Sequence, residues 1–525
     1  MATKYCRADG VATWANATGP ASSASDCCSL STAGTNATAG DTAYLSGLGG
    51  VFRETLTITN DGTDGNEITW TGVDSPVISG ADLVGDVWSV HSGDIWKTTA
   101  TITTEPEQVF IDGSFGDRKL NTTLTNNLDW YWASDILYLY SSGGDPNTAY
   151  TTPGIEAGAR DQCINAYTDK YQIFDGISCK HSNAEGIRGW EADGMQIKNC
   201  TVEWCGGEDG ILFRASDNDT AHGDYLVEDC VVRYNANNGI NIQGNFSGVI
   251  IRKNEVYENG VYQVEGFSYE WAAGIHFWGA LSYGSGAEVY ENYSHDNDDP
   301  MRGGAGTGIM YDGCNGTTPA LIHHNLVKDN AAEGILIESS DGCSVYYNVV
   351  ANSGGEGISV RVNPVGTHGV DGGYVYNNSV YGCWRGYNSK GDNAIESLME
   401  NVVVKNNIFS GNDTEMYLDQ GADNDSTNGS GNVYEYNCCG AESSNFIYFG
   451  ANRSTYDAWE TAYGGTTNSV EADPSFTNAA ADDFTLASDS PCIGAGANLG
   501  ADYDDALMPS STWPDGVVTG DQDDY

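Results

Sequence analysis

Asp312 and Glu338 occupy the same place in two successive copies of a short motif. Each stands three residues after the Ile of a Gly-Ile pair, Gly308-Ile309 and Gly334-Ile335. Side chains alternate between faces along a strand, so a residue three after an inward Ile points outward. If the copies stack as neighbouring strands ~4.8 Å apart, the two carboxyls become neighbours. Close carboxyls do not both ionise freely: one keeps its proton toward neutral pH while the other stays charged. That division supplies the acid and the nucleophile or base of glycoside cleavage, and a separation of ~5–5.5 Å fits reaction with retention.

The same place in other copies holds Trp190, Arg214, Gln243, Trp278, Arg361 and Lys390. Arg361 would flank the acidic pair on one side and Trp278 on the other. Trp278 is suited to stacking on a sugar, with Trp190, Arg214, Gln243 and Lys390 extending a binding row. His276, one residue after Ile275, lies beside Trp278 and joins Asp312, Glu338 and Arg361 as a catalytic candidate. The plainer reading is an outward charge ladder in which Glu338 and Arg361 pair across strands. Such a row can also bind a polymer without cutting it. A lyase needs a base near a neutralised carboxylate, and Lys180-His181 or His368 with Arg361 are the available sets.

Hard oxygen ligands cluster in three places. Glu333 and Glu356 each precede a repeat Gly and form a second acidic pair. Asp296, Asp298 and Asp299 sit close together, and Asp423-x-Asp425-x-Thr427 is similar. Calcium is the candidate ion, although no cluster completes an EF-hand loop, and none of the proposed chemistry requires a cofactor.

These residues need a scaffold that brings distant positions into rows. Gly-Ile recurs at Gly186, Gly210, Gly239, Gly274, Gly308, Gly334 and Gly357, with Gly386-Tyr387 as a degenerate copy. An Asn or Asp opening a β-rich run interleaves with it: Asn199, Asp229, Asn254, Asn292, Asn325, Asn348, Asn378 and Asn407. Two short strands per ~25–30 residues cannot bury their own apolar face, so the units must stack as a solenoid. The spacing predicts Ile211, Ile240, Ile309 and Ile335 in one interior file.

Composition agrees. Gly reaches 67 residues and Tyr 31, which is strand and turn chemistry. The net charge of −51 arises because only 22 Lys and Arg face 73 Asp and Glu. A chain so poor in bases lacks the footprint of a nucleic-acid binder. Its acidic surface suits saline, marine-like surroundings. No stretch reaches the ~20 apolar residues of a membrane span. Met1–Cys6 lacks a basic region followed by an apolar run; the expectation is a removed signal or release by lysis, as virion proteins are released. The 14 Cys show no paired zinc spacing. Cys200 and Cys230 share a repeat position, which suits small side chains stacked in the interior.

Four segments follow. Residues 1–84 read as a cap and first coils, 85–160 as an aromatic-rich β insertion, 161–412 as the regular solenoid, and 413–525 as closing coils and cap. Trp130 to Tyr140 reads as a hairpin turning at Ser134-Asp135, its aromatics free either to meet sugars or to pack the insertion down.

The Asn-x-Val and Gly-Ile alternation resembles the right-handed parallel β-helix proteins of the pectate-lyase-like superfamily. Arg53-Glu54-Thr55-Leu56, Val77–Asp82 and Asp473–Gly496 agree with it. The resemblance implies an all-β, single-stranded right-handed parallel β-helix with a β insertion and an irregular C-terminal cap. The superfamily includes polysaccharide lyases, glycoside hydrolases, epimerases, phage tailspikes and non-enzymatic adhesins. The missing signal and the early start of the solenoid make an extracellular or virion-surface phage tailspike, fibre or capsid-decorating appendage acting on polysaccharide the first expectation, a secreted lyase or hydrolase the second and a purely structural spike the third. Virion proteins and a homotrimer are candidate partners. The polygalacturonase set and a complete calcium-dependent lyase signature are missing, so the resemblance speaks for fold more than for chemistry.

Overall fold

The computed structural model describes residues 2–19, 21–85, 87–216, 220–264, 271–302, 305–363, 368–391, 398–425 and 428–499, with the backbone of 505–507 and 519–521; the side chains of 280–283 and 302 are excepted. Residues 265–270, Thr427 of the Asp423-x-Asp425-x-Thr427 cluster, and most of the chain after residue 499 therefore lie outside the described residues. Two compact units divide the chain: residues 1–213, 230–240 and 259–272 form the first, and 214–229, 241–258 and 273–525 the second.

Parallel strands built from successive coils make up most of both units. In the second, one sheet runs through Ala273–Tyr283, Thr307–Cys314, Ile335–Glu338, Glu356–Arg361, Arg385–Lys390, Thr414–Asp419 and Ile447–Phe449. A second sheet holds Ser285–Tyr290, Leu321–His323, Ser344–Tyr346, Val370–Tyr376 and Met399–Lys405, and a third Tyr293–His295, Leu326–Lys328, Val349–Ala351, Ser379–Tyr381 and Ile408–Ser410. The register is the expected one: Ile275 pairs Ile309, Ile309 pairs Ile335, and Ile335 pairs Ile358. All four are fully buried. In the first unit Ile164 pairs Ile187 in the same way, and Ile211 and Ile240 are likewise fully buried.

From Asn254 onward, successive coils of the second unit turn a corner on a residue in the left-handed region followed by a buried Asn, whereas in the first unit Cys200 and Cys230 follow the left-handed Asn199 and Asp229. The corner residues include Glu291 (φ 55°), His324 (φ 54°) and Tyr347 (φ 54°). The following asparagines form a continuous ladder. Nδ2 of Asn254 donates to Oδ1 of Asn292 at 2.9 Å, and the pattern repeats through Asn325, Asn348, Asn378, Asn407 and Asn437 at 2.9–3.0 Å. The same Oδ1 accepts the backbone N–H of the preceding Asn, as Asn348 does from Asn325 at 3.1 Å. Asparagine meets this demand because its amide donates and accepts at once.

Antiparallel strands interrupt the first unit. Trp88–Ser92, Ile95–Thr98, Ile136–Tyr140 and Asp129–Ala133 form one small sheet. Its hairpin turns at Ser134 (φ 51°) and Asp135 (φ 63°), as the sequence predicts. Trp130 is fully buried with Val109, Leu137 and Leu139, and Phe110 and Phe115 pack against Trp204. These rings therefore pack the insertion down. All fourteen cysteines are buried; Cys200 and Cys230 each point Sγ at a backbone carbonyl 3.7 Å away.

The second unit closes with the helix Tyr456–Tyr463, capped by Thr455 and ended by Gly464 in the left-handed region, and with the strand pair Phe476–Asn478 and Asp483–Leu486. Among the described residues no helix is long and apolar enough to cross a membrane.

Candidate functional site

One sheet of the second unit departs from its neighbours. Strands such as Tyr293–His295 and Leu326–Lys328 alternate between buried and half-exposed residues. Thr307–Cys314 and Ile335–Glu338 are buried at every residue, and Glu356–Arg361 at all but its last. The outward positions of this sheet are thus buried too, and they are the ones that carry chemistry.

Asp312 pairs in register with Trp278 on one side and Glu338 on the other, Glu338 pairs with Arg361, and Arg361 with Lys390. The predicted row exists, but it is not a solvated ladder: Asp312 is 9 % exposed and Glu338 6 %. Glu338 is held from both sides. Arg361 donates through Nε to its Oε1 at 2.8 Å, and Asn363 donates through Nδ2 to its Oε2 at 3.1 Å. Asp312 has no comparable support, and its Oδ1 is buried without a hydrogen-bond partner. Burial first, and the nearby Glu338 charge second, push its pKa up to about 7 against the opposing pull of Arg361. Asp312 is therefore poised to keep a proton at neutral pH, while both oxygens of its neighbour Glu338 are taken by donors.

Arg361 also donates through Nη1 to Glu333 at 2.8 Å, and Glu333 accepts from the Thr307 hydroxyl at 3.0 Å. Glu356 accepts from Arg385 at 3.0 Å; burial and the Glu333 charge raise its pKa. The pair offered as calcium ligands is thus engaged by guanidinium groups, which supply the positive charge an ion would have brought. Asp296 bonds His295 at 2.6 Å, and Asp298 accepts the Asp299 backbone N–H at 2.7 Å. Among the described residues no three His, Cys, Asp or Glu side chains come together as a metal site; Glu333 and Glu356 have Arg361 and Arg385 as partners, and Asp296 and Asp298 have His295 and the Asp299 backbone.

His276 is buried, and neither ring nitrogen has a hydrogen-bond partner. Burial lowers its pKa to about 4, so it is a neutral imidazole at neutral pH. Trp278 is half-buried beside Asp312. Gln243 is buried and Arg214 exposed. Trp190 belongs to the first unit, where it stacks on Tyr167 at 5.9 Å. Of the lyase alternatives, His368 bonds Asp341 at 2.9 Å and His181 is buried against Phe110.

Alternation alone places Glu333 on the same side as Ile335, facing the interior. The intervening Gly334 reverses that. A Cβ there would meet Val350 Cγ1 at 2.3 Å and Gly357 O at 2.7 Å, so this position is the one aimed inward and Glu333 turns out to join Arg361. Asn363 and Thr307 escaped the sequence reading for a simpler reason: neither lies in the row three after Ile.

The sequence profile described as "Right handed beta helix region" matches residues 176–368. The fold is a right-handed parallel β-helix. A solved complex of XylC with xylose shares 16 % identity and superposes with a TM-score of 0.58 over 78 % of this chain and 75 % of that one. A structure described as a glycoside hydrolase covers 89 % of this β-helix chain and 99 % of its own, at 11 % identity and TM-score 0.48. A mannuronic acid specific polysaccharide family 6 lyase from human gut microbiota covers 83 % and 86 %, at 13 % identity and TM-score 0.40. No curated protein matches the sequence.

Proposed function

We propose that this β-helix hydrolyses glycosidic bonds in a polysaccharide or oligosaccharide, with Asp312 as general acid and Glu338 as the carboxylate facing it. The observation that carries this reading is the asymmetry of the two neighbours: Asp312 with an unpartnered buried oxygen and a pKa of about 7, Glu338 anchored by Arg361 and Asn363. Adjacent rungs place the two carboxyls about 5 Å apart, the spacing of double displacement. Asp312 would give its proton to the leaving oxygen as Glu338 attacks the anomeric carbon. Deprotonated Asp312 would then take a proton from the water that releases the sugar. Trp278, half-buried, offers a ring beside the reacting centre. The xylose held by the XylC structure fits the same substrate class.

The test is product analysis on a glycan panel. Asp312→Ala should lower turnover of unactivated glycans by about 10²–10⁴-fold while sparing aryl glycosides with good leaving groups, and azide should restore turnover as a glycosyl azide of retained configuration. Equal activity of wild type and Asp312→Ala on unactivated substrate would refute the assignment.

A second reading keeps the row as a glycan-binding surface but not the reaction: a virion-surface or secreted β-helix that holds a glycan without cutting it. The bridging of Glu333 and Glu338 by Arg361 favours it, since a structural charge network has that form. It predicts glycan binding with no new reducing ends, unchanged by Asp312→Asn.

A further inference from the structure

Beyond Arg361 the site-bearing sheet changes character. Arg385 takes the place in its coil that Glu356 holds in the coil before. Its guanidinium is clamped on several sides. It donates to Glu356 at 3.0 Å and to Asn388 at 3.2 Å, and its central carbon lies 3.9 Å from the Trp384 ring centre and 3.7 Å from that of Tyr417. Tyr417 stacks on Tyr448 at 4.4 Å. Trp384 is thereby fixed by a cation on one side, yet it remains 49 % exposed. A ring held in this way has already lost the rotamer freedom that binding would otherwise remove. What it offers solvent is a flat apolar surface, the kind on which the C–H face of a pyranose rests.

Charge narrows the occupant. Arg361 and Arg385 are both engaged by carboxylates, and three acids, Glu333, Glu338 and Glu356, face these two cations. Lys390 is matched in register by Asp419 on the next strand. A uronate or sulfated ring would find no uncommitted guanidinium here, and it would approach a chain of net charge −51, which repels polyanions in dilute salt.

We propose that Trp384, backed by Arg385 and Tyr417, is a distal subsite that stacks an uncharged pyranose ring. The glycan then runs obliquely from Trp384 toward Asp312, crossing three strand spacings, ~14 Å in the direction across the strands, and also passing along them, because Lys390 and not Trp384 stands in register with Asp312; neutral chains are preferred to uronate chains. This rests on reading the Asp312 row as a glycan site, but its readout is binding rather than turnover.

Calorimetry on the intact protein at low salt, with neutral xylo- and gluco-oligosaccharides and with oligogalacturonates of equal length, tests it. Wild type should bind at least one neutral series at least tenfold more tightly than the galacturonate series. Trp384→Ala should lose on the order of tenfold in affinity for the long neutral chain and nothing for a disaccharide. Trp384→Phe should recover most of the loss, and melting should be unchanged because the ring is exposed. Long-chain affinity unaltered in Trp384→Ala, tighter galacturonate binding, or no binding of either series would overturn the proposal. Loss of affinity in Trp384→Ala alongside cleavage that survives Asp312→Ala would leave the subsite standing and remove the assigned acid.

Discussion

Asp312 and Glu338 differ in one respect on which the roles proposed for them rest: Glu338 has donors aimed at both oxygens, and Asp312 has a buried oxygen with none. For an acid with a folded pKa of about 7 and an unfolded value near 3.9, the linkage is directional. Between those values the folded chain holds a proton that the unfolded chain lacks. The stabilisation is complete below about pH 4 and is lost as pH rises through about 7. Asp312→Asn should therefore make the protein more stable than wild type at pH 8, by up to about 4 kcal/mol, and indistinguishable from it at pH 4; chemical denaturation at the two pH values reads this. Catalysis should run the opposite way in the same variant, and in wild type kcat should fall above pH 7 as the acid loses its proton. Arg361→Met leaves Glu333 and Glu338 buried without their cation. It should destabilise by about 3–5 kcal/mol, read by urea unfolding.

At the scale of the strand and corner, the Gly-Ile spacing suffices to align Ile275, Ile309, Ile335 and Ile358 because a one-residue slip would turn that apolar file outward. Asp312 beside Glu338 follows from the same register. The alternation rule fails at Gly334, where a backbone with no side chain lets Glu333 leave the interior side. Burial of the row was not legible either, since alternation tells which face a residue takes and not what else closes over that face. The Asn at each corner was visible as a repeat, but the ladder it forms depends on an αL residue before it, and Glu291, His324 and Tyr347 carry no compositional mark of that conformation. Asn348→Ala removes a link whose loss leaves an Asn325 donor and an Asn378 acceptor buried. A cost of about 2–4 kcal/mol is expected, measurable by urea unfolding, and Asn348→Asp should fall between the two because it keeps the acceptor alone.

Across the whole molecule the balance of charge sets the response to solvent. With 73 acids against 22 bases, self-repulsion weakens the folded state at low ionic strength, and added salt screens it. Melting temperature should rise from 10 mM to 500 mM sodium chloride, and a fall would mean that attractive pairs such as Arg361 with Glu333 dominate. Burial also raises Glu107 and Glu415 to about 8, so their contribution shares the sign of Asp312 and stability should decline from pH 6 to pH 8.

The members of the acidic row are supplied by consecutive coils, and each is placed by its neighbours above and below rather than by the length of chain between them. Extra residues can therefore accumulate where the backbone turns without displacing the reacting groups, as the unequal intervals between Gly-Ile pairs already illustrate. Relatives of this chain can thus diverge freely in length while preserving their chemistry, and comparison by coil will find equivalences that comparison by residue count misses.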